Sequence, residues 1–198
     1  MRVLIVAPTK REFKYLQNTL SNAYNITHDY FIICSGIGKA AAAAGVINSI
    51  RYAPAPFDAV AVIGFAAGSS CFKQGDVVVP NRAVYHDCDV PEGFIPELTN
   101  PHKLAGTDDV TVFTGDSFIN ANSATDIMER FGVERAIFDM EAMAVAIAVR
   151  DYLNGIPLLV VKFISDVPQS GDNEWSYEEF AESHSDFSPL LSKIEELL

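Results

Sequence analysis

Basic residues are scarce in this sequence. Its 198 residues include 14 Lys and Arg against 26 Asp and Glu, and the formal net charge is -12. Proteins that bind DNA or RNA gain much of their affinity from basic side chains that displace counterions from the phosphates. We therefore expect no nucleic-acid partner.

Long apolar runs and a cysteine framework are also missing. The apolar run at 59–67 is far shorter than the ~20 residues of a membrane-spanning helix and is interrupted by a glycine. The run at 3–7 leads straight into Lys10 and Arg11 and is not followed by the cleavage site of a secretory signal. The three cysteines have no CxxC spacing, which argues against a disulfide framework and a zinc site. We expect a cytoplasmic protein with no membrane segment and no metal.

Short β-branched runs alternate with Ala-rich or amphipathic stretches along the chain. This alternation is typical of strands that feed helices around a largely parallel sheet. With 49% hydrophobic residues, the chain can bury one sizeable core. We predict one α/β domain over 1–198, in which a central mixed, largely parallel sheet is flanked by helices in three layers. The predicted strands are 3–7, 30–34, 59–63, 76–79, 111–114, 136–138 and 158–164, and the predicted helices are 12–20, 39–50, 124–131, 141–151, 177–183 and 188–197. Between 85 and 109 the pattern breaks down, which predicts a long surface excursion.

Two glycine-rich turns follow predicted strands. The first, with Gly36, Gly38 and Ala41, has the Gly-x-Gly-x-x-Ala spacing of a dinucleotide-binding turn. That fold needs an acid at the end of its second strand, whereas Asp58 precedes its strand. A tight turn without a ligand is the other interpretation. The second turn, at 64–68, allows either a planar ligand or another backbone to approach closely.

Carboxylates follow three of the predicted strands. Glu12 comes after the first strand, Glu141 opens an apolar helix after the strand 136–138, and Asp166 follows the strand 158–164. Ligands of α/β sheets bind beyond the carboxyl ends of the strands, so we expect these acids to converge on one rim. The alternatives are that Glu141 only interacts favourably with the dipole at a helix N-terminus and that Asp166 caps a turn.

Three further residues bear on this rim. Lys162 interrupts an otherwise apolar strand and needs a counter-ion unless it reaches the edge of the sheet. Asp139 lies two residues before Glu141. It either belongs to the site or interacts with the dipole of the same helix. Phe118 follows another strand, where an aromatic ring either stacks on a base or joins the core.

Three converging carboxylates suit the cleavage of a ribosyl C–N bond. The reaction passes through an oxocarbenium-like species, so it needs a base for water, an anchor for the sugar hydroxyls and an acid for the departing base. When carboxylates lie close together, the pKa of one of them rises, which favours a protonated acid near neutral pH.

Eight sequence blocks occur along the chain in a distinctive order. They are Glu12 after the first strand, SGIGK at 35–39, GFAAG at 64–68, QGDVVV at 74–79, YHDCDV at 85–90, GDSFI at 115–119, MEA at 140–142 and ISDV at 164–167. Together they resemble the purine nucleoside phosphorylase and nucleosidase superfamily, most closely the bacterial 5′-methylthioadenosine/S-adenosylhomocysteine nucleosidases. The resemblance implies a nucleoside phosphorylase-like fold and a homodimer. It also implies that the chain hydrolyses an adenine nucleoside in methionine salvage, without a cofactor.

The resemblance implies roles for the three acids. Glu12 would activate the attacking water. Glu141 would hold the 2′- and 3′-hydroxyls of the ribose. Asp166, supported by Ser165, would hydrogen-bond N7 and the 6-amino group and supply the proton for the leaving base.

The resemblance also implies a set of substrate contacts. Met140 would pack against the sugar, and Phe118 and Ile119 would form the purine slot. Phe94 would act across a dimer interface, where a neighbouring subunit closes the 5′ pocket. The remaining members of the predicted substrate-binding set are Gly64, Phe65, Ala66, Asp139, Lys162 and Ser165.

Three positions depart from the family's usual pattern. Phe65 replaces a serine whose hydroxyl supports the catalytic base. Lys162 stands where arginine is usual, and Asp139 is shorter than the usual glutamate. Lysine keeps the positive charge but loses the bidentate geometry of arginine.

Other functions remain open at this stage. A phosphorylase needs several arginines and a serine to hold phosphate, and neither glycine turn supplies an arginine. Asp166 favours a 6-amino base over a 6-oxo base, because a carbonyl cannot donate to a carboxylate. This argues against futalosine as the substrate but is compatible with aminofutalosine. A non-catalytic nucleoside-binding module is the alternative of a different class, and Phe65 and Lys162 favour it.

Overall fold

In the part of the chain that the structure describes, nine strands form one central sheet. The structure, a computed structural model, describes residues 1–88, 90 and 100–198. The strands are β1 (Arg2–Ala7), β2 (Asp29–Cys34), β3 (Ala59–Gly68), β4 (Val77–Val78), β5 (Pro80–Tyr85), β6 (His102–Lys103), β7 (Asp108–Thr114), β8 (Ala136–Asp139) and β9 (Leu158–Asp166). The helices of the described residues are α1 (Lys10–Asn22), α2 (Lys39–Tyr52), α3 (Ala121–Phe131), α4 (Ala142–Leu153), α5 (Glu174–Ser183) and α6 (Ser188–Leu197), with a 3-10 turn at Pro168–Ser170.

The sheet joins two parallel groups of strands. β2, β1, β3 and β9 form one group, and β5, β7 and β8 form the other. They meet where the end of β3 pairs antiparallel with β8, with Ala67 opposite Phe138. Because this pair lies near the last residue of each strand, the carboxyl ends of both groups meet in one place.

Side chains alternate across β1 and divide the core into two layers. Val3 and Ile5 pack in a cluster with residues of α1, α5 and α6. Leu4 and Val6 pack on the other face, against α2 and α4. A strand with period-2 alternation and apolar residues on both faces must be covered on both sides. The result confirms the predicted class, a mixed sheet between two layers of helices.

The pattern of the sequence did not predict β5 and β6. A proline at the first position of β5 hides this strand, although proline is tolerated at a strand's first residue. β6 is two residues long and pairs with β5, and Leu104 beside it is buried. Part of the predicted surface excursion at 85–109 is therefore sheet.

Two local predictions have clear outcomes. The helix start predicted at 124 is wrong, because α3 begins at Ala121 and the Asn120 side chain caps it by accepting a hydrogen bond from the Ser123 amide. Asp58 accepts a hydrogen bond from the Arg2 amide at the amino end of β1. It therefore lies at the edge of the sheet opposite the Gly36 turn, which rules out the dinucleotide interpretation.

Among the helices of the described ranges, none combines the length and apolar character that crossing a bilayer requires.

Candidate active site

A cavity of about 490 Å³ opens at the carboxyl ends of the strands. Ten of the predicted site residues line it: Glu12, Phe65, Ala66, Phe118, Ile119, Asp139, Met140, Glu141, Ser165 and Asp166. Gly64 and Lys162 lie behind this lining, against Glu12 and Asp139. Phe94 falls outside the described residues. The structure thus brings acids from three distant segments to one rim.

Glu12 is held by three donors. It is the third residue of α1, and a capping box with Thr9 places its carboxylate over the end of β1. Its Oε2 accepts from the Thr9 amide at 2.8 Å and the Thr9 hydroxyl at 2.6 Å. Its Oε1 accepts from the Phe65 amide at 2.9 Å. The side chain is buried yet lines the cavity, so its orientation is fixed before a ligand arrives.

Gly64 makes this arrangement possible. A Cβ atom at this position would lie 2.1 Å from Oε1 of Glu12, and the residue has a φ of +145°. Only glycine combines that backbone conformation with so close a carboxylate. The close approach predicted for the turn at 64–68 is therefore made by a side chain of the protein.

Glu141 is held by a backbone amide from a distant segment of the chain. Its Oε1 accepts from the Gly38 amide at 2.9 Å, at the start of α2. Burial raises the pKa of Glu141 to about 7. Lys162 opposes this rise and Asp139 adds to it, and the smaller effects of the Gly38 amide and Glu12 oppose and add to it respectively. A carboxylate of this kind is ready to accept hydroxyl donors, because a ligand would restore the interactions that burial has removed.

Asp139 orders the start of α4. Its Oδ1 accepts from the Thr114 hydroxyl at 2.7 Å, and both carboxylate oxygens accept from the Ala142 amide. Lys162 Nζ lies 3.2 Å from Oδ2, and both side chains are almost fully buried. The counter-ion that the sequence requires for Lys162 is therefore Asp139.

Lys162 balances the charge of the site from behind. Although burial alone would lower the pKa of its ammonium, Asp139, Glu141 and Glu12 raise it. The lysine thus stays charged, and it neutralises part of the negative charge that three buried carboxylates would otherwise share.

Asp166 is the last residue of β9 and is buried. The Ser165 hydroxyl lies 2.6 Å from Oδ1 of Asp166 and 3.1 Å from the Ala66 carbonyl. Burial raises the pKa of Asp166 to about 6, and Asp172 adds to the rise while the hydrogen bond from Ser165 opposes it. This carboxyl group therefore holds its proton to a higher pH than an ordinary aspartate does.

Aromatic side chains form one wall of the cavity. Phe65 packs edge-on against Tyr177, Phe180 and Phe187. Phe118 is half exposed and meets Tyr177 edge-on, with 5.5 Å between ring centroids. An exposed ring at a cavity mouth offers a face on which a planar base can stack.

Sequence reasoning missed Tyr177 as a site residue. It lines the cavity together with Arg11 and Glu178, which form an ion pair at 2.8 Å. A signal was present, because Tyr177, Phe180 and Ala181 have the i, i+3, i+4 spacing of a helix face that turns toward the protein. The pattern predicted the helix but did not show that it borders the cavity.

Within residues 1–88, 90 and 100–198, no group of three His, Cys, Asp or Glu side chains is arranged to hold a metal ion. Asp139, Glu141 and Glu12 have the Lys162 ammonium as a nearby cation.

We expect Glu141→Gln to stabilise the fold above pH 7. The ordinary pKa of a glutamate is near 4.5, whereas burial raises that of Glu141 to about 7. The folded protein therefore holds this proton more tightly than the unfolded chain, so the associated stability is full below about pH 4.5 and is lost as the pH rises through 7. Glutamine does not titrate. Thermal unfolding at pH 8 should show a gain on the order of 2 kcal/mol that disappears toward pH 4.5.

The matched control for this prediction is Glu182→Gln, which changes an exposed carboxylate on α5. Its free energy of unfolding should stay within about 0.5 kcal/mol of the parent protein at both pH values. A Glu141→Gln protein less stable than the parent at pH 8 would contradict the prediction.

Comparison with known proteins identifies similar sequences and folds. A sequence model of the phosphorylase superfamily matches residues 105–196. The 5′-methylthioadenosine/S-adenosylhomocysteine nucleosidase of Neisseria meningitidis, in complex with methylthio-immucillin-A, is similar with a TM-score of 0.80 and 21% identity, covering 100% of this chain and 99% of that chain. The MTA/SAH nucleosidase of Streptococcus pneumoniae, in complex with 8-aminoadenine, has a TM-score of 0.80 and 23% identity over 100% of both chains.

A third nucleosidase structure has a similar fold. The MTA/SAH nucleosidase of Colwellia psychrerythraea 34H, in complex with adenine, has a TM-score of 0.77 and 24% identity, covering 97% of this chain and 93% of that chain. At these identities the likeness establishes the fold. It confirms the nucleoside phosphorylase-like architecture predicted from the sequence.

Proposed function

We propose that this chain, which resembles the phosphorylase superfamily in sequence and the MTA/SAH nucleosidases in fold, hydrolyses the N-glycosidic bond of an adenine nucleoside. One observation carries the proposal: Glu12, Glu141 and Asp166 line one cavity, and each is held by a different set of donors. Three separately held carboxylates supply the base, the sugar anchor and the acid that this reaction needs.

In the proposed reaction, Glu12 accepts a proton from water as the water oxygen attacks C1′ of the ribose. Glu141 accepts hydrogen bonds from the 2′- and 3′-hydroxyls, and its charge stabilises the oxocarbenium-like transition state. The C1′–N9 bond breaks, and its electron pair goes to the purine. Asp166 gives its proton to N7, so that neutral adenine leaves.

The other predicted contacts complete the binding of the substrate. Met140 packs against the sugar. Phe118 and Ile119 hold the purine, and Tyr177 packs edge-on against the Phe118 ring. The raised pKa of Asp166 supports its role as acid, because this carboxyl group keeps its proton to a higher pH than an ordinary aspartate does and can donate it in the transition state.

Hydrolysis is favoured over phosphorolysis by the charges around the cavity. Arg11 is the one cationic side chain among the described lining residues, and it is already paired with Glu178. A phosphate dianion would have to enter beside three carboxylates without several arginines to hold it. Water carries no charge and meets no such repulsion.

The two departures that favoured a non-catalytic module are accommodated by the structure. The Phe65 side chain cannot support Glu12, but its backbone amide does so. Lys162 lacks the fork of an arginine, yet it pairs with Asp139 and stays charged. Neither change therefore removes a group that the proposed reaction requires.

We propose 5′-methylthioadenosine and S-adenosylhomocysteine as the substrates, which would place the protein in methionine salvage. The complexes of the similar nucleosidases with adenine and methylthio-immucillin-A support this choice. We further propose that residues 1–198 act as a single domain in a cytoplasmic homodimer, with Phe94 at the 5′ pocket of the partner subunit. The unpaired cysteines of the described residues support a reducing compartment.

An assay for free base tests this proposal. The purified protein is incubated with 5′-methylthioadenosine, S-adenosylhomocysteine, adenosine and inosine, each with and without phosphate. We expect adenine release that does not depend on phosphate, and release from inosine that is slower by about 10²-fold or more, because a 6-oxo group cannot donate to a carboxylate. Release only with phosphate would mean a phosphorylase, and binding without release would mean a non-catalytic module.

A further inference from the structure

Lys39 joins three loops at the carboxyl edge of the sheet. Its Nζ lies 2.9 and 2.8 Å from the two carboxylate oxygens of Asp87, after β5, and 3.4 Å from Asp116 Oδ2, after β7. The Asp116 amide also donates to Asp87 at 3.0 Å. The loop after β2, which leads into Lys39, is therefore tied to the loops after β5 and β7.

The same turn holds Glu141. The Gly38 amide donates to Glu141 Oε1, and the next amide, that of Lys39, donates to Asp116 Oδ1, each at 2.9 Å. Gly38 has a φ of +89°, and a Cβ atom there would lie 3.0 Å from Asp116 Oδ1. Two successive amides thus bind two carboxylates, and the position of one amide depends on the position of the other.

Asp116 also stands close to the proposed purine slot. It precedes Phe118 by two residues, and the residue before it, Gly115, packs against the His86 ring, where a Cβ atom would lie 2.1 Å from Nε2. The His86 amide donates to the Thr114 carbonyl. The loop that carries Asp116 is therefore held on two sides.

We propose that Asp116 is a positioning residue, which fixes the Lys39 and Gly38 amides so that Glu141 faces the ribose hydroxyls. This inference rests on the proposed function. An amide placed wrongly by about 1 Å can cost about 10²-fold in rate, whereas a partly exposed ion pair adds little to stability. Asp116 is about half exposed, with 51% of its side-chain surface accessible, so its removal should leave the fold intact.

The test is a double-mutant cycle between Asp116→Ala and Glu141→Gln. We expect Asp116→Ala alone to lower kcat/KM for 5′-methylthioadenosine by about 10- to 100-fold, and to add less than about 3-fold when Glu141 is already Gln. Asp116→Asn keeps an oxygen for the Lys39 amide and should restore most of the activity. Lys39→Met removes the ammonium and should produce a loss in the same direction.

Binding of adenine separates a positioning role from a structural one. Adenine has no ribose, so its Kd, measured by calorimetry, should change by less than about 3-fold in Asp116→Ala if Asp116 acts through Glu141. Asp109→Ala, which breaks the exposed ion pair between Arg82 and Asp109 at 2.7 Å, is the matched control and should leave kcat/KM unchanged.

Two outcomes would overturn the inference while the proposed function stands. One is a loss in the double variant that equals the product of the two single losses. The other is a fall in adenine affinity that parallels the fall in kcat/KM. If the parent protein releases no adenine, the proposed function itself is wrong and the inference falls with it.

Discussion

Asp166→Asn is expected to lower kcat for adenine release by about 10³-fold, within the range that a general acid contributes. Asparagine has nearly the same shape and can still accept from the Ser165 hydroxyl, so the local structure should remain. It has no proton of the required acidity to give to N7. The loss should therefore appear in kcat more than in KM, since the interaction is made chiefly in the transition state.

The pH profile gives a second measure of this role. Burial raises the pKa of Asp166 to about 6, and its protonated form declines above that value. Burial raises the pKa of Glu141 to about 7, and its ionised form declines below that value. The active form needs a protonated Asp166 and an ionised Glu141, so kcat/KM should be bell-shaped with a maximum between the two values. In Asp166→Asn the alkaline limb should disappear.

Asp126→Asn is the control, because it makes the same chemical change at an exposed position on α3. It should leave kcat and the pH profile unchanged. Activity of Asp166→Asn within about 10-fold of the parent protein, in a folded sample, would refute the assignment of Asp166 as the acid.

The location of the site was open to prediction from the sequence, because it depends on one general rule. Each acid follows a recognisable strand, and the strands of an α/β sheet end at a common rim. Glu12, Glu141 and Asp166 do line one cavity. Local patterns also predicted the helices, including α4, whose buried side chains lie on nearly all sides.

The hydrogen-bond donors that hold each acid could not be predicted, because they come from segments that lie together only in the folded protein. The third donor to Glu12 is an amide 53 residues away, and the donor to Glu141 is 103 residues away. Nothing in the periodicity of the sequence pairs β3 with α1 or α2 with α4. The antiparallel contact between β3 and β8 is also nonlocal, and it places Asp139 near Lys162.

The side chains in a sequence do not show which backbone amides will act as hydrogen-bond donors. From the sequence, Phe65 removes a hydroxyl that would support Glu12, and this suggested a weakened site. The structure supplies the amide of the same residue instead, at 2.9 Å. Because every residue except proline has such a donor, its use depends on the path of the backbone and not on the identity of the side chain.

Because the backbone at Gly64 passes directly beside Glu12, we expect Gly64→Ala to have a large effect on activity. The new methyl group would lie 2.1 Å from Oε1 of Glu12, so the carboxylate must leave the Phe65 amide. Glu12 would then lose the orientation that lets it take a proton from water. We expect kcat/KM to fall by about 10²- to 10⁴-fold, the range of a lost general base.

Gly155→Ala separates this effect from backbone strain. Gly155 also has a positive φ, +82°, but a Cβ atom there would meet nothing within 4 Å. Both variants should lose about 1–3 kcal/mol of unfolding free energy, and only Gly64→Ala should lose activity. If the loss acts through Glu12, Gly64→Ala will lower the activity of a Glu12→Gln protein by less than about 3-fold. A folded Gly64→Ala protein with the kcat/KM of Gly155→Ala would show that the contact between Gly64 and Glu12 does not matter for catalysis.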